Sequence, residues 1–365
     1  MAVAQHKVID AQKVANTFAG LAFDDLVIAQ FMTTTPFERF HGTEKSSVSV
    51  KVPTLLPARR YAMRNDRTDP IEYDVYEEQE RTLNLEGGHI YSGVKIIDEQ
   101  VDFDNIQANT LIPVQATAVT RDVEYLSADA IAKAPHPVTI GGTEKNHWRS
   151  LLIARNVLDK LRVDGQRILL VGSDYEMSLL DDKRFTTSIS AGDGRADSAL
   201  GNATIGSLAG FTVVRSNLVE PGTAYALTTS SFFSATATPY IPQGVPFGAS
   251  ASYRGYTLRW LQDYDVDRFY NRSVVDFYYG VSHVLDHQFV LRDEEFKSID
   301  KKVGHQERVL DGDFYLRSIK LTLDGTSELG LASQSPDGSG GFKGATIASA
   351  LKITQSGITV PAEAA

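Results

Sequence analysis

The stretch SVSVKVPTLLPARRYAMRNDRTDPIEYDVYEEQERTLNLEGGHIYSGVKII, residues 47–97, decides how the chain must be read. Val48, Val50 and Val52 alternate with polar residues, as do Leu83 and Leu85, and then Val94 and Ile96. That period of two belongs to half-exposed strands, so the residues between them form a long hairpin-like excursion. Its charges are sorted. Residues 56–67 carry Arg59, Arg60, Arg64 and Arg67 against one acid, Asp66. Residues 69–80 carry Asp69, Glu72, Asp74, Glu77, Glu78 and Glu80 with no base. A loop this long needs a function inside a compact domain; sorted charge on a projecting loop suits docking on complementary charge of another chain, the alternative being a solvated hairpin whose two halves neutralise each other.

C-terminal to the loop, the period changes to that of a helix. Ile112, Ala116, Val119, Val123, Leu126 and Ala130 step by four and three into one apolar stripe. Pro113 is expected in the first turn, where its missing N–H costs nothing, and APHPV at 134–138 stops the helix. A second helix is expected over about 144–162, with Trp148, Leu151, Ala154, Leu158 and Leu161 on one face. Residues 166–250 then alternate short elements: RILLV, GFTVVRSN and AYALT as strands, 174–181 as a helix, and SSFFSATAT as a short helix. YTLRWLQDYDVDRFYNRSVVDFYYGVSHVL, residues 256–285, reads as two long strands with a turn near Tyr270–Arg272. Beyond 286 the chain is polar and Gly/Ser-spaced, with one strand-like piece, FYLRSIKLTL.

N-terminal to the loop, residues 1–45 read as an arm. Helical patterns at Ala11–Phe18 and Asp24–Phe31 offer too little apolar surface to repay their own ordering, so the arm is expected to pack on its own body or on a neighbour.

Bulk composition narrows the function classes. With 365 residues, 42% hydrophobic and 22% charged, the chain has the balance of a folded globular protein. No apolar run approaches the length of a membrane span, and MAVAQHKVIDAQKVANTF lacks the apolar core of a secretory signal. The absence of cysteine excludes disulfides and thiolate metal sites. A net charge of −10 argues against gripping nucleic acid, which needs a cationic footprint.

Catalytic constellations are weak. In ILLVGSDYEMSLL, Ser173 lies at a strand-to-helix turn, but Tyr175 stands where a nucleophile elbow needs its second glycine. Ser173 and Glu176 instead have the spacing of a capping box. His283 and His287 lack a third ligand nearby, and the preceding run is strand-like. Asp263, Asp265 and Asp267 alternate, so on a strand they share one face, suited to a hard cation or, preferably, to the arginines of a partner. GDGRAD at 192–197 lacks calcium-loop spacing. No cofactor and no metal is expected.

The order of these parts resembles the major capsid protein of tailed double-stranded DNA bacteriophages, whose fold is shared with encapsulins and herpesvirus floor domains. VPTLLPARRYAMRNDRTDPI followed by GGHIYSGVKIIDEQVDFD is similar to the extended loop and its return. LIPVQATAVTRDVEYLSADAI resembles the long spine helix, LLVGSDYEMSLLDDKRF and GSLAGFTVVRSNLV the units of the axial domain, and residues 256–285 the closing hairpin. The likeness covers about Val8–Leu285.

The resemblance implies an α+β capsid fold in ordered segments: an N-terminal arm (1–46), an extended β-hairpin loop (47–97), a peripheral domain with the spine helix (98–165), an inserted axial domain (166–250), a return hairpin (251–285) and a C-terminal extension of unassigned role (286–365). It implies a non-enzymatic subunit that assembles with copies of itself, as hexamers and pentamers, into an icosahedral shell. The shell would enclose phage DNA without specific binding and be assembled in the host cytoplasm. A separate scaffolding protein, or none, is implied by the lack of a long helical extension before the arm; a portal and a decoration protein are further expected partners, a membrane is not. Intersubunit contacts are expected at Arg59, Arg60, Arg64, Arg67, Glu77, Glu78, Asp263, Asp265 and Asp267. The alternatives are an encapsulin-like compartment shell and a hydrolase using Ser173.

Overall fold

The computed structural model describes residues 11–37, 47–52, 56, 58–60, 71, 73, 75–76, 79–84, 89–102, 108–181, 204–245, 247–292, 304–305, 307–333 and 343–360. In chain order, helix α1 (Ala11–Asp24) precedes strands β1 (Thr33–Phe37), β2 (Ser47–Val52), β3 (Arg59–Arg60), β4 (Gln79–Asn84) and β5 (His89–Ile97). Next come α2 (Asp98–Asp102), α3 (Ala108–Lys133), β6 (Val138–Gly141), α4 (His147–Lys160), β7 (Arg167–Val171) and α5 (Ser173–Asp181). An all-strand run follows: β8 (Thr204–Leu208), β9 (Phe211–Arg215), β10 (Thr223–Thr228), β11 (Phe232–Ala237), β12 (Phe247–Tyr253), β13 (Tyr256–Asp265), β14 (Tyr270–His283) and β15 (Asp286–Arg292). The last part holds β16 (Gly304–His305), β17 (Glu307–Phe314), β18 (Ser318–Thr322), β19 (Glu328–Leu329), α6 (Lys343–Ala350) and α7 (Gln355–Ile358).

The chain forms two compact units: Met1–Val48 with Thr82–Ala132 and Phe232–Ser282, and Ser49–Arg81 with Lys133–Ser231 and His283–Ala365. The first unit is a six-stranded sheet, β1-β11-β14-β13-β12, with β5 also on β14. Its apolar face carries Ile90, Ala249, Ala251, Tyr256, Leu258, Trp260, Val275, Phe277 and Tyr279, buried with Ala15, Phe18 and Ala19 of α1 and Ala116, Val119 and Val123 of α3. The arm therefore packs on its own body. It does so as one helix ending at Asp24 and a 3₁₀ turn at Ala29–Phe31, not as the two helices expected. The apolar spacing of 24–31 is a turn that buries Leu26, Ile28 and Ala29.

Helix α3 begins at Ala108, so Pro113 lies inside it rather than in its first turn. The buried face also rotates along the helix. Ser127 and Ile131 are buried, while Leu126 and Ala130 are only half-buried. Buried Gln115 spans the sheet beneath, its Nε2 donating to the carbonyls of Ser92 (3.1 Å) and Ser273 (3.0 Å). SSFFSATAT is strand β11, not a helix, and pairs in parallel with β1. Nearly every residue of β11 is buried, so no alternating pattern marks it as a strand. The β13–β14 turn falls at 266–269, ahead of the expected 270–272.

The second unit is a seven-stranded mixed sheet, β19-β6-β18-β10-β7-β9-β8. Strand β18 comes from the C-terminal 80 residues, to which the sequence assigned no role, and it lies inside the sheet. It pairs in parallel with β6 and antiparallel with β10. FYLRSIKLTL is thus two strands' worth of chain, ending β17 at Phe314 and opening β18 at Ser318. The units divide the chain at 132/133, 231/232 and 282/283, where the sequence reading has boundaries at 165/166, 250/251 and 285/286. Residues 232–250 join the first sheet because β11 and β12 hydrogen-bond there. Two hairpins turn on two-residue loops with both residues at positive φ: Ala209-Gly210 (49°, 87°) and Arg254-Gly255 (47°, 92°). That is the geometry matched to strand twist, with glycine second.

Candidate assembly surfaces

The loop that the sequence singled out is built on two short pairings. Strands β2 and β4 form a two-stranded ribbon. Further along the loop, Arg59 and Arg60 pair antiparallel with His305 and Gly304. Several of the loop's apolar side chains stand in solvent: Tyr73 is 89% exposed, Val75 77% and Ile71 63%, with Leu56 and Tyr76 also exposed. Arg64, Arg67, Glu77 and Glu78 lie outside the described residues, as does GDGRAD at 192–197.

Where the loop rejoins the first sheet, a charged cluster spans three adjacent strands. Asp276 of β14 is buried and accepts from Arg259 Nε at 2.8 Å. Arg259 Nη2 donates to its other oxygen, and Arg259 Nη1 to the Tyr240 carbonyl. His89, the first residue of β5, places Nε2 2.7 Å from Asp276 Oδ2. The buried carboxylate is thus neutralised and hydrogen-bonded, the condition on which a buried charge is tolerated.

The base of the arm is held by another buried carboxylate. Glu124 on α3 accepts N–H bonds from Val27 (3.0 Å), Ile28 (2.9 and 3.0 Å) and Ala29 (3.1 Å). Burial raises its pKa, against the lowering effect of those bonds. The carboxylate serves the free amides at the start of the 3₁₀ turn as a cap would. Tyr256 Oη adds a bond to the Ala29 carbonyl at 3.1 Å.

The Asp263–Asp267 stretch has partners in its own chain. Asp263 accepts from Arg272 Nη2, and Asp265 lies 4.0 Å from Arg272 Nη1. A hydrogen bond from Tyr270 is the main cause holding the Asp265 carboxyl below its usual range. Asp267 belongs to the turn and donates its N–H to Asp265 Oδ1 at 3.1 Å. Only Asp263 and Asp265 share the β13 face; one cross-strand arginine serves both. Among the described residues, no group of three or more His, Asp or Glu is arranged to hold a metal ion, and no helix is long and apolar enough to cross a membrane.

Ser173 does not form the capping box its spacing suggests. The Asp174 and Tyr175 amides donate to the Pro221 carbonyl at 3.0 and 3.1 Å. Glu176 pairs instead with Arg215 Nε at 3.0 Å, and Ser173 Oγ donates to Asp174 Oδ1 at 3.1 Å. The backbone at Pro221 takes the cap's place. Gly172 permits that approach, since a Cβ there would lie 2.3 Å from the Glu220 carbonyl oxygen. His283 and His287 stand on different strands, His283 against Tyr315 with ring centroids 5.1 Å apart and His287 Nδ1 3.2 Å from Asp313.

A family model described as phage capsid protein matches residues 91–292. No curated protein sequence matches the chain. Among similar solved structures is the capsid of Ralstonia phage GP4, 10% identical over 88% of this chain and 96% of that one, with a TM-score of 0.51. A chain of Mycobacterium phage Che8 is 14% identical over 82% and 92%, TM-score 0.50. One from the asymmetric unit of the bacteriophage PhiM1 mature capsid is 9% identical over 83% and 88%, TM-score 0.50. At these identities the likeness speaks for the fold, mixed α+β of the tailed-phage capsid type. The family match spans more than half of the chain, and the two-sheet α+β architecture agrees with it: the chain belongs to the phage capsid protein family and is a structural subunit of a virion's capsid shell.

Proposed function

We propose that copies of this chain assemble as hexamers and pentamers into a closed icosahedral shell around double-stranded phage DNA, built in the host cytoplasm with a separate scaffolding protein and a portal. In this reading the loop 47–97 docks on a neighbouring subunit. Its charge blocks, Arg59, Arg60, Arg64 and Arg67 against Glu77 and Glu78, set partner and register, and its apolar residues supply adhesion. Asp263, Asp265 and Asp267 would contribute at the hairpin tip. The first unit corresponds to a peripheral domain and the second to an axial one. The subunit's role in this reading is structural, and its acidity lets it enclose DNA without gluing to it. A decoration protein would be added from outside.

The observation that carries this reading is the loop itself, which keeps Tyr73 at 89% and Val75 at 77% exposure in a single chain. An apolar strip of that kind marks an interaction surface. The test is to express the chain with its scaffold, sediment the product and image it by cryo-electron microscopy. Uniform closed shells are expected, and DNA inside particles from infected cells. Reversing Arg59→Glu and Arg60→Glu together is expected to leave a folded subunit with a normal circular dichroism melt and a loss of shell yield on the order of tenfold, since like charge now faces like charge. Wild-type shell yield from that variant would overturn the docking role.

A further inference from the structure

The pairing of β3 with β16 carries more than the loop's own course. Among the described residues of 53–78, backbone ladder pairing is confined to Arg59 and Arg60. Two residues provide at most a pair of backbone hydrogen bonds, which cannot offset the entropy of ordering a loop of this length. The apolar side chains on either side of that bridge, Leu56, Ile71, Tyr73, Val75 and Tyr76, are exposed in the single chain, so burial contributes little to holding it. The acceptor is better supported. Strand β16 continues directly into β17, which pairs with β15 from Asp286 to Arg292 and packs on α6. Charge is complementary as well: residues 56–67 hold four arginines and one acid, whereas residues 293–313 hold seven acids and four bases.

We propose that the Gly304–His305 edge is a strand-addition site for a second copy of this chain. In the shell it is filled by residues 59–60 of a neighbouring subunit, in the register seen within one chain, Gly304 opposite Arg60 and His305 opposite Arg59. The exchange makes the same ladder bonds between chains as within one, and main-chain bonding at an edge strand gives affinity without a preformed pocket. What tips it outward is the apolar strip, which a neighbour can bury and the chain's own body leaves bare. The inference rests on the loop-docking reading above and names its acceptor, residues of the C-terminal segment beyond the family match.

The absence of cysteine makes the test clean. Two single variants, Arg60→Cys and Gly304→Cys, are co-assembled and oxidised with diamide, then run on a non-reducing gel. Directly opposed residues of an antiparallel pair have Cα atoms about 4.5–5.5 Å apart, within disulfide reach. A covalent dimer is expected, at roughly ten times the yield of an Arg59→Cys with Gly304→Cys mixture, whose side chains point to opposite faces. The double variant Arg60→Cys/Gly304→Cys is expected to give a ladder of linked chains. Shells that yield no dimer, a dimer equal to the mispaired control, or only internally bridged monomer from the double variant would each overturn the strand addition while leaving loop docking intact. Docking itself fails on a separate readout, wild-type shell yield when Arg59 and Arg60 are reversed, and the strand addition falls with it.

Discussion

Glu124 shows how one residue couples the arm to the spine helix. Its carboxylate is buried, yet three backbone amides converge on it. Glu124→Ala strips all three of their acceptor and is expected to cost about 2–3 kcal/mol, whereas Glu124→Gln keeps one oxygen and costs less. The pH dependence has a definite sign. Because burial raises the folded-state pKa above 4.5, the folded state binds the proton more tightly. This group's contribution is therefore most favourable at acid pH and is lost as pH rises through the window just above 4.5. Denaturation followed by fluorescence of Trp260, which lies against Phe18 of the arm, should show that slope flattened in Glu124→Gln; an unchanged slope would assign it to other groups. Tyr175 offers the opposite test. Its ring is in the core of the second unit and its hydroxyl has no hydrogen-bond partner among the described residues; burial drives its pKa well up. Tyr175→Phe removes an unmet desolvation cost and is expected to be neutral or stabilising by up to about 1 kcal/mol, or ~2–4 °C in Tm. A clear loss of Tm would reveal a partner for that hydroxyl.

At the scale of elements, β18 matters most for the second unit. Ile319 and Leu321 are fully buried, and the strand joins β6 to β10. Without it β6 loses its parallel neighbour among the described strands and the sheet splits. Leu321→Asp puts a charge into that core with no counterion and is expected to cost at least ~4 kcal/mol. The measurement is soluble yield and a thermal melt, together with those of a chain ending after Arg292. A truncated chain that melted like the full one would contradict a structural role for the C-terminal segment. The amphipathic helices and the strand alternation of 89–97 were legible beforehand, because each has one buried and one exposed face. Strand β11 was not: with Phe232, Ser234, Ala235, Thr236 and Ala237 all buried, both faces lie in the interior and the period of two disappears.

For the whole molecule, the subunit is two cored units and a loop whose apolar side chains at Leu56, Ile71, Tyr73, Val75 and Tyr76 are exposed. Amides of the exposed loop residues Leu56, Ile71, Tyr73, Val75 and Tyr76 are expected to exchange with solvent rapidly in the unassembled chain and to gain protection on the order of a hundredfold or more in shells. Amides of β7, β10 and β18 should be protected in both states. Mass spectrometry of hydrogen exchange on matched samples reads this directly. A loop equally protected before and after assembly would mean that its apolar strip finds cover within one chain.

Local physics made part of this protein legible from its residues alone. Residues 47–97 read as a charged excursion, 112–130 as a long helix and RILLV as a buried strand, because period, turn residues and charge order act between neighbours in sequence. The ordered set of those elements pointed to the capsid family. Only tertiary structure decided the rest. Ser173 lost its capping role to the Pro221 carbonyl, 48 residues on by number, which accepts from the first amides of α5. Asp263 and Asp265, read as acids awaiting a partner's arginines, meet Arg272 across their own hairpin. Strand β18 entered the middle of a sheet begun about 180 residues earlier at β6. For Ser173 and β18 the partner is distant along the chain, and for the two aspartates it lies on the facing strand of a hairpin. Sequence pattern reports which face of an element is buried, but which element covers it is selected by the packing of the whole fold.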